Sequence, residues 1–287
     1  GMLVLSALLL CSLLKIRSLV STLLSSFLFS LANVVLTCTL AGFFHQLSNR
    51  NLFILIHLII LVCLYLYWKK KGSPALLNVK VAWASLGQFF KRIFRSRELL
   101  ILFCVVCASA LFQFVLILVM PPNTHDSMTT HLSRVGYWLQ NNSYFPFNIH
   151  NAKDIYYPFN PAFEVLWTIV LLGNDMLVEI SQYLALFICA FSIYGFSRLL
   201  HLSEKNAFFN ALIFFSFPII VMQATTTQTD LFVAAIISCA FYFLALAFQQ
   251  KEQKFLALSA LAIALALGSK QTAFFLLPGY LLTFLAL

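Results

Sequence analysis

The sequence predicts an all-α polytopic membrane protein. Of its 287 residues, 62% are hydrophobic and 9% are charged, whereas a soluble globular domain carries about a quarter charged residues. The apolar residues also form runs that approach the roughly 20 helical residues needed to cross a hydrocarbon core. Helices are expected, because a backbone surrounded by lipid must satisfy its own hydrogen bonds.

Hydropathy and charged boundaries divide the chain into about nine apolar helices. A further apolar stretch at 162–173 is short for a crossing, and a crossing there would break the alternation of charge downstream. We therefore expect it to form an external helix lying on the membrane surface. The nine predicted helices cover residues 2–14, 18–44, 52–68, 99–120, 178–199, 207–222, 230–248, 255–268 and 272–287.

The basic residues orient these helices. Eight lysines and arginines and no acidic residue lie between Lys69 and Arg97, which is typical of a cytoplasmic loop. Alternation from this loop places the long loop at 121–176 outside, together with the short connections at 225–230 and 268–271. Three separate polar segments are therefore expected to meet on one external face.

The basic loop and the cysteines indicate structural roles. The net charge of +9 does not predict a nucleic-acid partner, because the basic residues lie between apolar spans and not on one soluble face. The aromatic and basic residues at 73–97 are suited to anchoring at the anionic cytoplasmic interface. All seven cysteines fall in apolar stretches, including the pair Cys104 and Cys107, and we interpret them as buried small hydrophobes.

Asp126 is the residue most suited to chemistry. It follows two prolines that end the preceding helix, at the expected mouth of the bundle. A carboxylate that is partly desolvated there could act as a general base. The alternative is a helix N-cap, because Asp126 directly precedes the helical pattern at 127–140.

Asp230 and Lys270 are charged residues on the same predicted face. Asp230 lies at the start of a helix, where capping and the helix dipole offer an alternative explanation for an acidic residue. Lys270 is flanked by apolar helices, so we expect an anionic partner for its ammonium group. Snorkelling of Lys270 to the lipid headgroups is the alternative.

Further candidates surround Asp126. His125 and His131 could join Asp126 in binding a divalent metal, although their spacing matches no strong zinc motif. Arg134 could bind a phosphate or carboxylate, or could instead pair with Asp154 or Glu164. Tyr156 and Tyr157 fit either a sugar-stacking wall or the interfacial aromatic belt.

The order of these motifs resembles the GT-C membrane glycosyltransferases. The residues that carry the resemblance are HDSMTTHLSRVGYWLQN at 125–141, YYPFNPAFEVLW at 156–167, FFSFPIIVMQATTTQTDLFVAA at 214–235 and ALALGSKQTAFFLLPG at 264–279. The closer likeness is to the bacterial relatives of protein O-mannosyltransferases and aminoarabinose transferases, described as dolichyl-phosphate-mannose-protein mannosyltransferase-like. The resemblance covers about residues 99–287.

The resemblance implies a mechanism. A polyprenyl-phosphate sugar would be the donor, and a protein, lipid or glycan hydroxyl would be the acceptor. Asp126 would act as the catalytic base in an inverting transfer, and Lys270 with Arg134 would stabilise the departing phosphate. Ser127 stands where the family usually has a second acidic residue, so a bound metal is not a firm expectation. The expected location is a bacterial plasma (inner) membrane, with the site facing the periplasm or the exterior.

The family pattern also divides the chain. We expect an N-terminal unit of membrane helices and basic loop at 1–98, and a GT-C-like core at 99–287 that contains the external loop. Because the family's usual C-terminal helices do not follow, the chain is expected to be an N-terminal piece of a longer protein. A transporter or flippase of lipid-linked sugars and a noncatalytic membrane scaffold are the alternative functions.

Overall fold

The computed structural model describes residues 1–76, 79–146 and 156–286, and only the backbone of residues 79–81. Its regular structure in these ranges is helical, which confirms the predicted all-α fold. The α-helices are α1 (Met2–Leu13), α2 (Leu19–Phe43), α3 (Arg50–Lys70), α4 (Val79–Ile93), α5 (Arg97–Val119), α6 (Leu132–Asn141), α7 (Asn160–Leu172), α8 (Ile180–Leu199), α9 (Glu204–Phe214), α10 (Pro218–Gln223), α11 (Asp230–Gln250), α12 (Gln253–Leu267) and α13 (Leu277–Ala286).

Five of the described helices are long and apolar enough to cross a membrane, and they are α2, α3, α5, α8 and α11. Shorter apolar helices accompany them, including α1, α7 and α12. Two short segments of the described residues are helical but not α-helical. A π-helix, which is wider than an α-helix, spans Ser127–His131 and leads into α6, and a tighter 3₁₀ helix spans Gln271–Leu276 and leads into α13.

Helix α11 is the centre of the larger core. In its most apolar window 61% of the residues are buried, against 11% in α3, so α11 is surrounded by protein while α3 faces outward. It packs against α8 and α12. The close approach to α12 involves small residues: the Ser259 hydroxyl donates to the Ala240 carbonyl at 2.6 Å. Small residues of this kind allow helices to pack closely in lipid.

Helix α7 belongs to a second core. The prediction of a helix at 162–173 is confirmed, and the structure adds that its Phe163 and Leu166 are buried in one cluster with Val34 and Cys38 of α2. The apolar side chains of α7 are therefore largely covered by other helices of the protein. Helix α2 serves both cores, because its first half packs in the cluster around α11.

A buried polar network ties α7 to α2 and α3. The indole Nε1 of Trp167 donates to His57 Nε2 at 2.8 Å, and His57 Nδ1 lies 3.0 Å from Asn33 Oδ1. Because an indole nitrogen can only donate, the His57 proton belongs on Nδ1, from which it donates to Asn33. The position of α7, whose start forms part of the site described below, thus depends on polar contacts as well as packing.

The predicted helix at 207–222 is wrong as a single helix. The structure has α9 ending at Phe214 and α10 beginning at Pro218. Proline has no backbone N–H and restricts the residue before it. Phe217 accordingly takes an extended conformation, with φ −72° and ψ 119°, and the helix is interrupted there.

The prediction that all the cysteines are buried is wrong for three of them. Cys63, Cys104 and Cys107 are exposed on the protein surface. They lie on α3 and α5, the two spans whose apolar windows are least buried. Exposure of an apolar face is expected where a helix meets lipid in place of protein.

Helix α4 has the amphipathic character expected of the basic segment. Trp83 projects from it with 76% of its surface exposed, while Phe89 packs edge-on against Phe208 and Tyr194, with ring centroids 5.3 and 5.8 Å away. One face of α4 therefore rests on α8 and α9, and the opposite face is free to contact a membrane interface.

Candidate functional site

Polar side chains from distant parts of the sequence line one cavity of about 320 Å³. Its walls come from the turn that leads into α6, the start of α7, the start of α11 and the turn after α12. The structure brings together six of the side chains that the sequence nominated: Asp126, His131, Arg134, Tyr157, Asp230 and Lys270. Tyr156 does not line the cavity and is 72% exposed.

The cap of the Asp126 turn is Thr124. The Thr124 hydroxyl oxygen accepts from the Ser127 backbone N–H at 3.3 Å and lies 2.6 Å from the Ser127 hydroxyl. The Asp126 side chain makes no capping hydrogen bond. The structure therefore does not support the capping explanation for Asp126, and its carboxylate, 59% exposed, is accessible in the cavity wall.

The π-helical turn sets the spacing of the next two wall residues. It spans Ser127–His131 and continues directly into α6. A π turn adds a residue to a helical turn and is frequent at functional sites. Here His131 closes the turn and Arg134 follows three residues later, and both line the cavity with Asp126.

His131 is held in its neutral form. Burial lowers its pKa from 6.5 to about 4, and the nearby positive charge of Arg134 acts in the same direction. The carboxylates of Asp126 and Asp230 oppose this shift without overcoming it. At neutral pH the imidazole is therefore uncharged, and it can both donate and accept a hydrogen bond.

Lys270 and Asp230 form an ion pair in the wall of the cavity. The Lys270 ammonium donates to Asp230 Oδ1, so Asp230 supplies the anionic partner expected for this lysine. Asp230 is also the first residue of α11, where a carboxylate interacts favourably with the helix dipole. The side chains are 30% and 53% exposed, so solvent screens the pair and a ligand can reach both groups.

Arg134 is part of the wall rather than a freely accessible cation. It is buried, and its Nη1 donates to the Pro158 carbonyl at 3.1 Å. Its guanidinium also lies 5.8 Å from the ring centres of Trp138 and Phe159, within the range of cation–π attraction. Arg134 thus connects α6 to the segment that begins α7. Asp154, the alternative partner for Arg134, lies outside the described residues.

A close backbone contact joins two other walls. The Asn160 backbone N–H donates to the Gly268 carbonyl at 3.0 Å, and its side-chain Nδ2 donates to the Leu265 carbonyl at 3.0 Å. A Cβ atom on Gly268 would lie 2.6 Å from Asn160 Nδ2. Glycine at this position lets the end of α12 approach the start of α7, which places the Lys270 turn beside Tyr157 and Pro158.

The candidate metal ligands do not form a metal site within the described residues. No group of three or more histidine, cysteine, aspartate or glutamate side chains there is arranged to hold a metal ion. His125 Nδ1 lies 3.7 Å from Asp126 Oδ1, but the His125 side chain is 86% exposed and does not line the cavity that His131 lines.

Several lining residues were not nominated from the sequence. Their position in the sequence could have identified them, since each is a polar residue within four positions of Asp126, Asp230 or Lys270. Their hydroxyl and amide groups supply neutral hydrogen-bonding partners around the charged pair. These residues are Thr130, Gln228, Thr229, Ser269, Gln271 and Thr272.

Comparison with known proteins shows that part of the chain is similar to a known family. Residues 158–287 match the family described as dolichyl-phosphate-mannose-protein mannosyltransferase. The match covers the α7 start, Asp230 and Lys270, and it begins after the Asp126 turn. No curated protein and no solved structure matches the chain. The resemblance seen in the sequence is thereby confirmed over this region, and it supports a membrane glycosyltransferase in general terms.

Proposed function

We propose that this chain, whose residues 158–287 match the dolichyl-phosphate-mannose-protein mannosyltransferase family, transfers a sugar from a polyprenyl-phosphate donor to an acceptor hydroxyl. The observation that carries the proposal is the shared cavity of Asp126, Asp230 and Lys270. These residues lie 104 and 40 positions apart along the chain, so their convergence is a property of the fold.

The size of the cavity supports a small polar ligand. Small-molecule sites typically have volumes of about 300–1,000 Å³, and this cavity measures about 320 Å³. It suits a sugar with its phosphate, but not a polyprenyl chain. Because apolar chains are stabilised in lipid, the polyprenyl part would remain in the bilayer while the sugar phosphate occupies the cavity.

Asp126 would serve as the general base. Its carboxylate accepts the proton of the acceptor hydroxyl as the hydroxyl oxygen attacks the anomeric carbon. A bond forms between that oxygen and the sugar as the bond from the anomeric carbon to the phosphate oxygen breaks. Polyprenyl phosphate leaves with the bonding electrons, and attack from the opposite face inverts the configuration at the anomeric carbon.

Lys270 would stabilise the leaving phosphate. Negative charge grows on the phosphate as the bond breaks, and a fixed cation beside it lowers the barrier. Asp230 holds the Lys270 ammonium in the cavity wall. Donor phosphate would compete with Asp230 for this ammonium, while Arg134, engaged with Pro158, would keep the wall in place and add positive potential.

The uncharged groups would orient the sugar. Neutral His131 can hydrogen-bond to a sugar hydroxyl without attracting the phosphate away from Lys270. Tyr157 offers an aromatic face in the same wall, and Tyr156, next to it and exposed, would lie at the rim. The distribution of basic residues supports a site on the external face of a plasma membrane.

The proposal is tested by transfer of radiolabelled sugar from a polyprenyl-phosphate donor by membranes that contain the full-length protein. Native protein should be compared with Asp126→Asn at matched expression. Asp175→Asn is the matched control, because Asp175 is an exposed carboxylate that does not line the cavity. We expect Asp126→Asn to lose most transfer, by about 100-fold or more as for removal of other general bases, and Asp175→Asn to keep it.

The alternative functions make different predictions in the same assay. A flippase would move the lipid-linked sugar across the bilayer without consuming it, and a scaffold would neither move nor consume it. Absence of transfer by the native protein with each of several polyprenyl-phosphate sugars would overturn the proposal. Equal transfer by the native protein and Asp126→Asn would overturn the role of Asp126.

A further inference from the structure

A second set of cavities lies at the opposite end of α11. This helix spans 21 residues, from Asp230 in the candidate site to Gln250, a rise of about 30 Å. The ends of α8 and α11, the starts of α2 and α9, and helix α4 meet at this far end. It is the end where the basic residues concentrate, and the proposed sugar transfer makes no use of it.

The larger of these cavities is lined mainly by apolar side chains, together with the charged residues Arg92, Arg198 and Glu204. It has a volume of about 530 Å³. Helix α4 covers one side with Leu86 and Phe89, and Leu23 of α2, Phe208 of α9 and Leu246 of α11 line the others. A cavity of this character between an amphipathic helix and membrane spans is suited to a hydrocarbon chain.

A basic hollow adjoins the apolar cavity. It has a volume of about 510 Å³ and contains Lys15, Arg17 and Lys254 against a single acidic residue, Glu252. The Lys254 ammonium lies 2.5 Å from Glu252 Oε2 and donates to the Lys15 carbonyl at 3.4 Å. The excess of positive charge is suited to an anion.

The two cavities are neighbours that share part of their walls. Ser18, Ser21 and Gln250 line both of them. The Ser21 hydroxyl lies 2.8 Å from the Tyr242 hydroxyl at this junction. A polar junction between an apolar cavity and a basic hollow matches the order of parts in a phospholipid, which has an acyl chain, a polar glycerol ester region and a phosphate.

We propose that this end of the bundle binds an anionic phospholipid of the surrounding bilayer. The acyl chain lies under α4 in the apolar cavity, the ester groups lie at the serines, and the phosphate lies among Lys15, Arg17 and Lys254. The charge complementarity selects an anionic headgroup over a zwitterionic one. The bound lipid fixes α4 against α8 and α9 through the wall that contains Phe89 and Phe208.

The test uses spin-labelled lipids with the whole chain in mixed micelles. The relative association of spin-labelled phosphatidylglycerol and phosphatidylcholine is measured by electron paramagnetic resonance for the native protein and three variants. Arg17→Gln removes a charge from the hollow. Leu23→Trp fills the apolar cavity from its exposed edge without changing charge. Lys70→Gln is the control, because Lys70 is an exposed basic residue that lines neither cavity.

Each basic residue near an anionic lipid surface contributes about a fivefold preference. The proposal therefore expects native protein to prefer phosphatidylglycerol by at least about fivefold, and Arg17→Gln to reduce this preference about fivefold. Leu23→Trp should reduce binding of both lipids, and Lys70→Gln should resemble the native protein. Equal association of the two lipids with native protein would overturn the proposal. So would equal losses in Arg17→Gln and Lys70→Gln, which would indicate general surface electrostatics.

A competition experiment with the headgroup alone distinguishes binding of a lipid from binding of a free phosphate. Glycerol phosphate carries the anionic part without the acyl chain, so it should fail to displace spin-labelled phosphatidylglycerol at millimolar concentration. Displacement by glycerol phosphate, together with unchanged binding in Leu23→Trp, would contradict a lipid site. Because sugar transfer is not measured, these outcomes are independent of the proposed catalytic function.

Discussion

The close contact between Gly268 and Asn160 gives a sharp structural prediction for Gly268→Ala. The added Cβ would lie 2.6 Å from Asn160 Nδ2, 3.1 Å from Cγ and 3.2 Å from Oδ1. Ordinary carbon contacts are optimal at about 3.5–4.0 Å, so the Asn160 side chain or the backbone must move by several tenths of an ångström. Because the clashing Nδ2 atom also donates to the Leu265 carbonyl at 3.0 Å, a displacement of the Asn160 side chain would disturb this hydrogen bond.

The magnitude follows from two contributions. Loss of one buried hydrogen bond reduces the free energy of unfolding by about 1 kcal/mol, and overpacking of a well-packed contact costs about 1–3 kcal/mol. We expect Gly268→Ala to destabilise the protein by about 2–4 kcal/mol. Since this contact joins the Lys270 turn to the start of α7, sugar transfer should fall as well.

Thermal unfolding of detergent-solubilised protein, followed by intrinsic fluorescence, measures the stability change. Gly136→Ala is the matched control, because a Cβ at Gly136 in α6 meets nothing within 4 Å. It should be neutral, or stabilise the helix by up to about 1 kcal/mol. The double variant Gly268→Ala with Asn160→Ala removes the clashing group and should be no less stable than Asn160→Ala alone. If Gly268→Ala and Gly136→Ala unfold at the same temperature, the argument from close approach is refuted.

Three further predictions concern single side chains. His131 has a pKa of about 4 in the folded protein against an ordinary 6.5, so on acidification the unfolded chain takes up the proton first. The free energy of unfolding should therefore fall as the pH is lowered from about 6.5 to about 4. Denaturation midpoints across this range should depend less on pH in His131→Gln, and an unchanged dependence would refute the assignment. His57→Phe deprives the Trp167 indole N–H of its acceptor and should destabilise the protein by about 1–3 kcal/mol, with recovery in His57→Phe/Trp167→Phe; a thermal unfolding curve identical to that of the native protein would contradict this role. Lys270→Met should reduce sugar transfer by about 100-fold while changing the free energy of unfolding by less than about 1 kcal/mol, because the ion pair of Lys270 with Asp230 is partly exposed. Lys270→Arg should retain part of the activity. Full activity of Lys270→Met would exclude a role in phosphate stabilisation.

The sequence predicted the features of the fold that depend on the surrounding lipid, which are the membrane-spanning helices. Residues in lipid must be apolar over the length of a span, so α2, α3, α5, α8 and α11 could be predicted from hydropathy alone. The interruption at Pro218 was missed because its surroundings remain apolar on both sides, and hydropathy does not register a missing backbone N–H. The packing of α7 on α2 was also missed, since apolar side chains can face either lipid or protein.

The candidate site was predictable where charge stands out against an apolar background. Asp126, Asp230 and Lys270 are conspicuous for this reason, and charge alternation predicted that their segments share a face. The ion pair between Asp230 and Lys270 required the fold, because its partners belong to different helix ends. The wall position of Arg134 and the contact between Asn160 and Gly268 depend on distances of a few ångströms that no pattern in the sequence encodes.

The most direct test of the central claim is the location of the donor phosphate. A polyprenyl phosphate that carries a photoreactive group beside the phosphate can be crosslinked to the full-length protein in membranes, and the labelled peptides can be mapped by mass spectrometry. Our account predicts labelling in the segments 126–134 and 268–272, with the label on both reduced in Lys270→Met and unchanged in Asp175→Asn. Labelling confined to other parts of the chain, or equal labelling in all three proteins, would contradict it.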